Sequence, residues 1–345
     1  MILDRFFNFF RVSKKLAIDL GTSNVLIYDR QRKKIVLNEP SVIVRDKKTN
    51  KIIAVGKEAR EMLGKNPDVI KVIKPLKDGV ISDDNSARDM LTEFMKKVYG
   101  VSIFKPDIMI CIPIEVNTVD KRALFESVSG AKRIYLIEEG RAAIIGSGVN
   151  ISLPMGSMVI DIGGGSTDIA ILSLNEIVVS KSIKMAGNTL DQDIIRYVKT
   201  NLNLVIGDRT AEKIKKELAT AIKVPEDKNA VLPIRGRSLT TNTPYVLEIT
   251  ANQVQEAIGR TIESMVDSVK EVLSKCPPEL AADILDNGIV LTGGGALIKN
   301  LDKYIEERTK VPVKIADKPL ESVVVGAGLA FDNKVLLKTL LMREN

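Results

Sequence analysis

The clearest hydrophobic pattern in the chain is a strand, a glycine turn and a returning strand, and it occurs twice. Residues 158–170 read MVIDIGGGSTDIA, an apolar run that leads into Asp161 and resumes after Asp168. Residues 15–28 read KLAIDLGTSNVLIY and repeat this arrangement, with Asp19 at the end of the first apolar run. Short apolar runs bounded by glycine and polar turn residues are typical of buried strands joined as hairpins. The repeat predicts a chain of two related halves.

Both glycine turns have the chemistry of phosphate-binding loops. Glycine lacks Cβ, so a turn rich in it permits positive φ and brings backbone N–H groups close to an anion. Asp19 and Asp161 have the wrong sign to touch phosphate but suit a hydrated Mg²⁺ beside it. One such hairpin is as consistent with an ordinary β-turn as with a binding loop, and the second copy favours binding. Two such hairpins facing one another would clamp a polyphosphate and its metal.

A third glycine signal lies near the end of the chain. Residues 288–297, GIVLTGGGAL, predict a strand, a triple-glycine turn and then a helix from about Ala296 to Glu307. A glycine turn at a helix N-terminus suits the phosphate, ribose or base of a nucleotide. Elsewhere, apolar residues at helical spacing predict helices over residues 84–99, 188–201, 210–222 and 252–273. Because these helices alternate with strand-like runs, the chain belongs to the α/β class.

A pair of glutamates follows another predicted strand. The run RIYLI, residues 133–137, ends at Glu138 and Glu139, and a helix of small residues comes next. Functional groups gather at the C-terminal ends of strands in open α/β sheets, where a carboxylate can orient or deprotonate water that attacks a γ-phosphate. We favour Glu139 for this role, although two glutamates are also an ordinary solvated strand end and position alone leaves the choice open.

The composition limits the chemistry that remains. The chain has 345 residues, no histidine, two cysteines and a formal net charge of +7. Without histidine, Ser–His and Cys–His nucleophile pairs and most transition-metal sites are excluded. Two widely spaced cysteines favour a reduced, cytosolic protein, and the length suits roughly two domains. The positive charge suggests anionic partners, but aromatic residues do not alternate with basic ones along strands, which argues against a nucleic-acid partner.

The first residues look separate from the first strand. In the segment MILDRFFNFFRVSKK, five large apolar residues share one side of a helix, and cations follow. We favour a short helix in the membrane interface over a helix docked on the protein's own surface. The loop at residues 101–104, VSIF, is either buried or a second membrane contact. The candidate membrane residues are Ile2, Leu3, Phe6, Phe7, Phe10, Ile103 and Phe104.

Three ordered glycine motifs together resemble the actin superfamily. The stretches DLGTSNVLIY, IVLNEPSVI, DIGGGSTDIA, IGDRTAEKIK, GIVLTGGGALI and PLESVVVGAGLA closely resemble the bacterial actin family of MreB and Mbl, from about Leu16 to Phe331. The resemblance implies an α/β actin-like fold of two pseudo-duplicated lobes, each with a large and a small subdomain, around a cleft for MgATP. It implies a membrane-binding helix at residues 1–13, subdomain IA at 14–36 and 83–155, IB at 37–82, IIA at 156–186 and 254–331, IIB at 187–253, and a basic tail at 332–345.

The same resemblance assigns roles to individual residues. Asp19 and Asp161 would hold Mg²⁺ and its waters, and Glu139 would position the attacking water with help from Ser166. The phosphate contacts would be Gly21, Thr22, Ser23, Asn24, Gly163, Gly164, Gly165, Ser166 and Thr167. The ribose and adenine would be lined by Glu212, Lys213, Lys215, Lys216, Gly293, Gly294, Gly295 and Ala296. Two departures matter. The family commonly has Glu-Glu-Pro-Met where this chain has Glu-Glu-Gly-Arg at 138–141, which loosens the backbone and adds a cation. Ser166 stands where the family usually has threonine, which keeps the hydroxyl but loses the methyl that stiffens its rotamer.

The resemblance implies a cytoskeletal filament protein and slow ATPase. It would polymerise with itself into paired protofilaments on the inner face of the cytoplasmic membrane and work with cell-shape or wall-synthesis proteins. A small-molecule kinase of the same superfamily is a distant alternative, because no spare carboxylate marks an acceptor site. A filament protein that hydrolyses ATP poorly is a second alternative, motivated by Gly140 and Arg141. Heat-shock chaperones share the nucleotide fold, but this sequence ends where their peptide-binding domain would begin. The motifs leave the choice between ATP and GTP open.

Overall fold

A computed structural model describes residues 14–65, 68–99, 105–116, 118–128 and 130–344 of the chain. The chain forms two compact units. The first unit comprises Met1–Ile112, Val116–Gly146 and Val323–Asn345, and the second comprises Pro113–Glu115 and Ser147–Ser322. The chain therefore passes from the first unit into the second for three residues after Ile112, and again after Gly146.

The secondary structure alternates strands and helices as an α/β chain does. The strands are β1 (Lys15–Leu20), β2 (Asn24–Asp29), β3 (Lys34–Pro40), β4 (Ile43–Asp46), β5 (Ile52–Val55), β6 (Ile70–Ile73), β7 (Leu76–Lys77), β8 (Val80–Ile81), β9 (Asp107–Ile112), β10 (Arg133–Glu138), β11 (Ser157–Ile162), β12 (Thr167–Ser173), β13 (Glu176–Ile183), β14 (Leu204–Val205), β15 (Val231–Ser238), β16 (Pro244–Thr250), β17 (Ile289–Thr292), β18 (Val313–Ile315) and β19 (Leu341–Glu344). The helices are α1 (Lys57–Glu61), α2 (Asp84–Tyr99), α3 (Thr118–Ser127), α4 (Glu139–Gly146), α5 (Gly187–Asn201), α6 (Asp208–Leu218), α7 (Ala251–Ser274), α8 (Pro278–Asn287), α9 (Leu301–Thr309), α10 (Ser322–Ala330) and α11 (Lys334–Leu340).

The first unit is built on a six-stranded sheet in the order β19-β10-β9-β1-β2-β3. The strands β1, β2 and β3 form an antiparallel meander, and β1 pairs in parallel with β9. Leu16 and Ile18 of β1 are fully buried and pack in one core with Met90 and Phe94 of α2. A smaller sheet, β5-β4-β6, carries α1. The apolar run of each strand is thus explained by burial in this core.

The second unit repeats the plan with a five-stranded sheet in the order β13-β12-β11-β17-β18. Its strands β11, β12 and β13 again form an antiparallel meander, and β11 pairs in parallel with β17. A smaller sheet, β14-β15-β16, completes the unit. The prediction of two related halves, each opening on a glycine hairpin, is therefore confirmed.

The helix that begins at Glu139 is fixed by an unusually close neighbour. In the first unit, α10 approaches α4 so closely that a Cβ on Gly326 would lie 1.8 Å from the carbonyl oxygen of Ala142. Only glycine allows two backbones to approach to this distance. The second half of α4, from Ala142 to Gly146, is consequently packed directly against α10.

Two expectations for the C-terminal part need correction. The helix predicted from about Ala296 begins later, because Gly294–Leu297 form a 3₁₀ turn and α9 starts at Leu301. Asn300 takes a left-handed conformation with φ of 60°, which separates the two elements. The basic tail after Phe331 also contributes to the sheet of the first unit, since β19 pairs with β10 and Leu336 and Leu340 of α11 are buried. None of the helices in the described part of the chain has the length and apolar character needed to cross a lipid bilayer.

Candidate functional site

The turn of the first glycine hairpin, between β1 and β2, is held by polar side chains. The hydroxyl of Ser41 donates to the carbonyl oxygen of Gly21 at 2.6 Å, and the Ser41 backbone N–H donates to that of Ser23 at 3.0 Å. The hydroxyl of Thr22 accepts the backbone N–H of Gly79 at 3.0 Å. Because this oxygen acts as the acceptor, the Thr22 proton is not used in that bond and suits an anionic ligand.

Asp19 and Asn24 flank this turn. Asp19 lies at the end of β1 and is half-buried, and burial raises the pKa of its carboxyl group to about 7. A carboxyl group with this pKa is only partly ionised near neutral pH. A cation bound nearby would lower the pKa again and favour the carboxylate form. The side-chain amide of Asn24 donates to Asn38 Oδ1 at 2.7 Å, so this predicted phosphate contact is already hydrogen-bonded to β3.

The turn of the second glycine hairpin, between β11 and β12, is held mainly by backbone groups. The backbone N–H of Gly187 donates to the carbonyl oxygen of Gly163 at 3.1 Å. The backbone N–H of Asn188 donates to the carbonyl oxygen of Gly164 at 2.8 Å. The start of α5 is thereby fixed to the glycine turn. The hydroxyl of Thr167, which is fully buried, donates to the Met185 carbonyl oxygen at 2.6 Å. Its proton is engaged inside the protein.

The third glycine turn lies directly beside the second hairpin. Asp161 of β11 and Thr292 of β17 are opposite each other in the parallel register. At Gly293, φ is 79°, and a Cβ there would lie 2.4 Å from the Ile162 carbonyl oxygen and 2.6 Å from Asp161 Oδ1. The structure therefore brings together two motifs that are more than a hundred residues apart. Only a residue without Cβ fits between them.

The predicted metal ligands are two carboxylates, one in each unit. Asp161 is 4% exposed and abuts the third glycine turn. Oxygen ligands of this kind suit Mg²⁺, which binds through one or two carboxylates, several waters and substrate phosphates. The described residues contain no group of three or more His, Cys, Asp or Glu side chains placed to hold a metal ion by themselves. Each aspartate is thus an oxygen donor of the kind that Mg²⁺ takes, and the metal role of the two residues stays a prediction.

The lysines of α6 differ sharply in position. Lys215 Nζ donates to the Gly187 carbonyl oxygen at 2.7 Å and to Asp191 Oδ2 at 2.8 Å. Lys216 instead pairs with Glu212 at 2.7 Å, and Lys213 lies 3.8 Å from Glu217. The side chains of Lys213 and Lys216 are 62% and 64% exposed, whereas that of Lys215 is 16% exposed. Of the three predicted lysines, Lys215 is the one that contacts the N-terminus of α5, which is hydrogen-bonded to the second glycine turn.

The sequence analysis missed Asp191, the partner of Lys215. Burial raises the pKa of this carboxyl group, while Lys215 opposes the shift. A signal was available, because Asp191 follows Leu190 and lies among the apolar positions of an amphipathic helix. A carboxylate at such a position is buried and needs a cationic partner.

The Glu-Glu-Gly-Arg segment forms the junction of β10 and α4. Glu139 is the first residue of α4. Arg141 is buried, and its Nε lies 3.1 Å from Glu138 Oε2. The cation that distinguishes this chain from the usual pattern is therefore paired with the first glutamate. The catalytic role of Glu139 stays a prediction.

Several predicted residues lie outside the part of the chain that the structure describes. They are the candidate membrane residues Ile2, Leu3, Phe6, Phe7, Phe10, Ile103 and Phe104. Their proposed role stays a prediction.

Paired meanders with glycine hairpins, one in each unit, define the fold as actin-like. The profile of the MreB/Mbl protein family matches residues 13–339. The chain belongs to this family. It is 45% identical over 324 residues to the cell shape-determining protein Mbl of Bacillus subtilis (strain 168), covering 93% of this chain and 96% of that protein. It is 43% identical over 328 residues to the cell shape-determining protein MreB of Escherichia coli (strain K12), covering 93% and 94%.

Solved structures show the same relationship. The crystal structure of MreB5 of Spiroplasma citri bound to AMPPNP matches with a TM-score of 0.89 and 37% identity, over 96% of this chain and all of that chain. A double helical filament of MamK matches with a TM-score of 0.79 at 22% identity, over 93% and 99% of the two chains, which supports the fold alone.

Proposed function

We propose that the chain is a bacterial actin-like cytoskeletal protein that binds MgATP, hydrolyses it slowly and polymerises into membrane-associated paired filaments that help determine cell shape. The observation that carries the proposal is the pair of glycine hairpins, each with an aspartate at the strand end, in a family whose member MreB5 of Spiroplasma citri has been solved with AMPPNP and with ADP. The names of the Mbl and MreB relatives support the role in cell shape.

The nucleotide contacts come from both hairpins and from the third glycine turn. Thr22 and Ser23 contribute side-chain donors, and Gly164 and Gly165 contribute backbone N–H groups, whereas the Gly163 N–H donates to the Ser166 carbonyl oxygen at 2.9 Å and closes the turn. Gly293 to Ala296 and α6 line the sugar and base. We expect Lys215 to act through the α5 end that it contacts. We also expect the Thr167 side chain to support the hairpin, because its proton is donated to Met185.

Hydrolysis requires a water that is oriented towards the γ-phosphate. Glu139 begins α4, which Gly326 packing holds in place, so its carboxylate suits this role. Ser166 adds a hydroxyl beside the glycines of the second hairpin. Asp19 and Asp161 would hold Mg²⁺ and its waters, and the metal would supply charge stabilisation for the phosphates.

Filament formation and membrane binding complete the proposal. This chain shares its fold with MamK, whose double helical filament has been solved, and we propose that it also self-associates. The apolar and basic residues of the N-terminal segment support contact with the inner face of the cytoplasmic membrane. Co-sedimentation with anionic liposomes tests this contact. Deletion of residues 1–12 is expected to abolish lipid binding, and unchanged binding would remove the segment's role.

The central experiment combines sedimentation, negative-stain imaging and phosphate release. Wild type is compared with Glu139→Ala, and Glu58→Ala, another glutamate in the first turn of a helix, serves as the matched control for phosphate release. Wild type is expected to form filaments with ATP and release phosphate. Glu139→Ala is expected to polymerise while phosphate release falls by about a hundredfold or more, since general-base catalysis is typically worth that factor.

Two results would overturn the proposal. If wild type neither binds nucleotide nor polymerises, with or without lipid, the filament function is wrong. If turnover appears only when a sugar or acid acceptor is added, the chain is a small-molecule kinase.

A further inference from the structure

A buried carboxylate in the second hairpin has no role in the function proposed above. Asp168 lies on β12, two residues after Ser166, and is fully buried. It pairs in register with Asp161 of β11 and with Ser182 of β13, so it stands in the middle of the meander. Burying a carboxylate is costly unless hydrogen bonds compensate. The partners of Asp168 therefore indicate what the residue does.

One partner belongs to a segment far away in sequence. The backbone N–H of Ile114 donates to Asp168 Oδ1 at 3.2 Å. The next residue makes a second contact with the same meander, because the backbone N–H of Ser182 donates to Glu115 Oε1 at 3.4 Å. Residues 113–115 are thus attached to β12 and β13 by two polar contacts.

Two hydroxyl groups, of the hairpin and its neighbour, also lie near this carboxylate. Ser166 and Ser182 lower the pKa of Asp168, against the larger upward shift caused by burial and a smaller one caused by Glu115. Ser166 is the residue that we place beside the phosphates. Asp168 therefore accepts a hydrogen bond from the backbone of residues 113–115 and lies two residues from the candidate catalytic hydroxyl of Ser166.

The position of residues 113–115 in the chain gives these contacts their significance. The segment belongs to the second unit, whereas the residues on either side belong to the first. It follows β9 directly, and β9 pairs with β1, which contains Asp19, and with β10, which ends at Glu138. Asp168 is thus the group that attaches a junction between the two units to the second glycine hairpin.

We propose that Asp168 is a positioning residue: its carboxylate orients the Ser166 hydroxyl and holds residues 113–115 on the second hairpin, so that nucleotide bound there tightens this junction. The inference rests on the proposed nucleotide function. It assigns to Asp168 no contact with substrate or metal, and it adds a route by which nucleotide state reaches the junction between the units.

Hydrogen exchange of the wild-type chain is the first test. Amide exchange is followed by mass spectrometry in a peptide spanning residues 111–116, without nucleotide and with AMPPNP and Mg²⁺. We expect nucleotide to slow exchange in this peptide by about tenfold. If nucleotide binds but exchange in this peptide does not change, the inference is wrong while the proposed function stands. If the chain binds no nucleotide at all, both fail.

Variants at position 168 separate positioning from charge. Asp168→Ala removes the hydrogen-bond acceptor. We expect kcat for phosphate release to fall about tenfold, because small misplacements in an active site slow turnover strongly. We expect KM for ATP to stay within about threefold of the wild-type value, and the effect of nucleotide on hydrogen exchange to disappear. Asp168→Asn keeps an acceptor for Ile114, and we expect it to retain most of both properties. If Asn is as damaging as Ala, the charge acts rather than the positioning, and the inference is overturned.

Two further variants keep the test independent of folding. Glu115→Ala changes an exposed side chain that holds the same segment, and we expect a partial loss of the exchange response with normal stability. Asp29→Asn is the matched control, because Asp29 is also buried and also accepts backbone N–H groups, from Gln31 and Arg32, but lies at the end of β2 in the first unit. We expect it to lower Tm without changing kcat or the exchange response. An unaltered response in Glu115→Ala, or a lost one in Asp29→Asn, would contradict the inference.

Discussion

The turn between β1 and β2 is held by side chains, whereas the turn between β11 and β12 is held by backbone groups. In the first, the hydroxyls of Ser41 and Thr22 bond to the glycines Gly21 and Gly79. In the second, the start of α5 donates two backbone N–H groups to the glycine carbonyls, and Gly293 fills the space beside Asp161. The same sequence plan is therefore supported in two physically different ways.

The remaining parts of the two halves are more alike. In the first unit, Glu39 of β3 lies 3.7 Å from Lys97 of α2. In the second unit, Lys181 of β13 pairs with Glu271 of α7. In each half, the third strand of the meander is thus linked to a helix by an ion pair. The two halves are thus alike in this contact, whereas the hydrogen bonds that support their glycine turns differ.

The largest effect is expected at the backbone-held turn. Gly293→Ala places a Cβ within 2.6 Å of both Asp161 and Ile162 at a φ of 79°. Backbone strain and overlap together should lower the free energy of unfolding by about 2–6 kcal/mol and weaken ATP binding by at least about tenfold. Urea denaturation and titration with a fluorescent ATP analogue measure the two effects.

Gly148→Ala is the matched control for this substitution. Gly148 also has a positive φ, of 83°, but nothing lies within 4 Å of a Cβ there. Only the strain of about 1–2 kcal/mol should appear, with unchanged ATP binding. Equal effects at the two glycines would show that contact with Asp161 is unimportant.

Substitutions of the buried threonines Thr167 and Thr22 should distinguish a residue that stabilises the fold from one that binds ATP. Thr167→Val removes the donor to Met185 and should cost about 1–3 kcal/mol of stability, because a buried carbonyl loses its partner, with ATP affinity unchanged within about twofold. Thr22→Val should cost about 1 kcal/mol but weaken ATP binding several-fold, because the Thr22 proton is available to a ligand. The same two measurements apply. If Thr167→Val loses more affinity than Thr22→Val, the assignment of roles is reversed.

The smallest effect concerns the pH dependence of the nucleotide-free chain. Burial raises the pKa of Asp19 from 3.8 to about 7, so between these values the folded chain keeps a proton that the unfolded chain has released. Stability therefore falls as pH rises through this window and levels off above about pH 7. Asp19→Asn should remove this fall and raise Tm slightly at pH 8 relative to pH 5, measured in EDTA.

Asp46→Asn tests the sign of that prediction. Hydrogen bonds from Thr49 and Lys48 lower the pKa of Asp46, so its contribution to stability is already complete above pH 4. The variant should be slightly less stable than wild type by the same amount at pH 5 and pH 8. A Tm difference that grows with pH in this variant as well would assign the effect to something other than burial of Asp19.

Much of the fold could be predicted because its signals are local. The hairpin at Asp161 and the long helix α7 follow from apolar runs, glycines and a capping box at Thr250 and Gln253. The prediction failed where a local pattern met a tertiary constraint. The helix expected from Ala296 begins at Leu301, and the tail adds strand β19 to a sheet whose next strand is two hundred residues earlier.

The candidate site divides in the same way. By itself, the sequence determined the residue types at the site, the order of the three glycine motifs and the family, because these depend on neighbours along the chain. Only the tertiary structure decided that Lys215, rather than Lys213 or Lys216, donates to the Gly187 carbonyl oxygen at the start of α5. It also decided that Asp168 accepts the backbone N–H of Ile114. The physical reason is that each side chain has few hydrogen-bonding groups, and its partner is chosen by folding from residues far away in sequence.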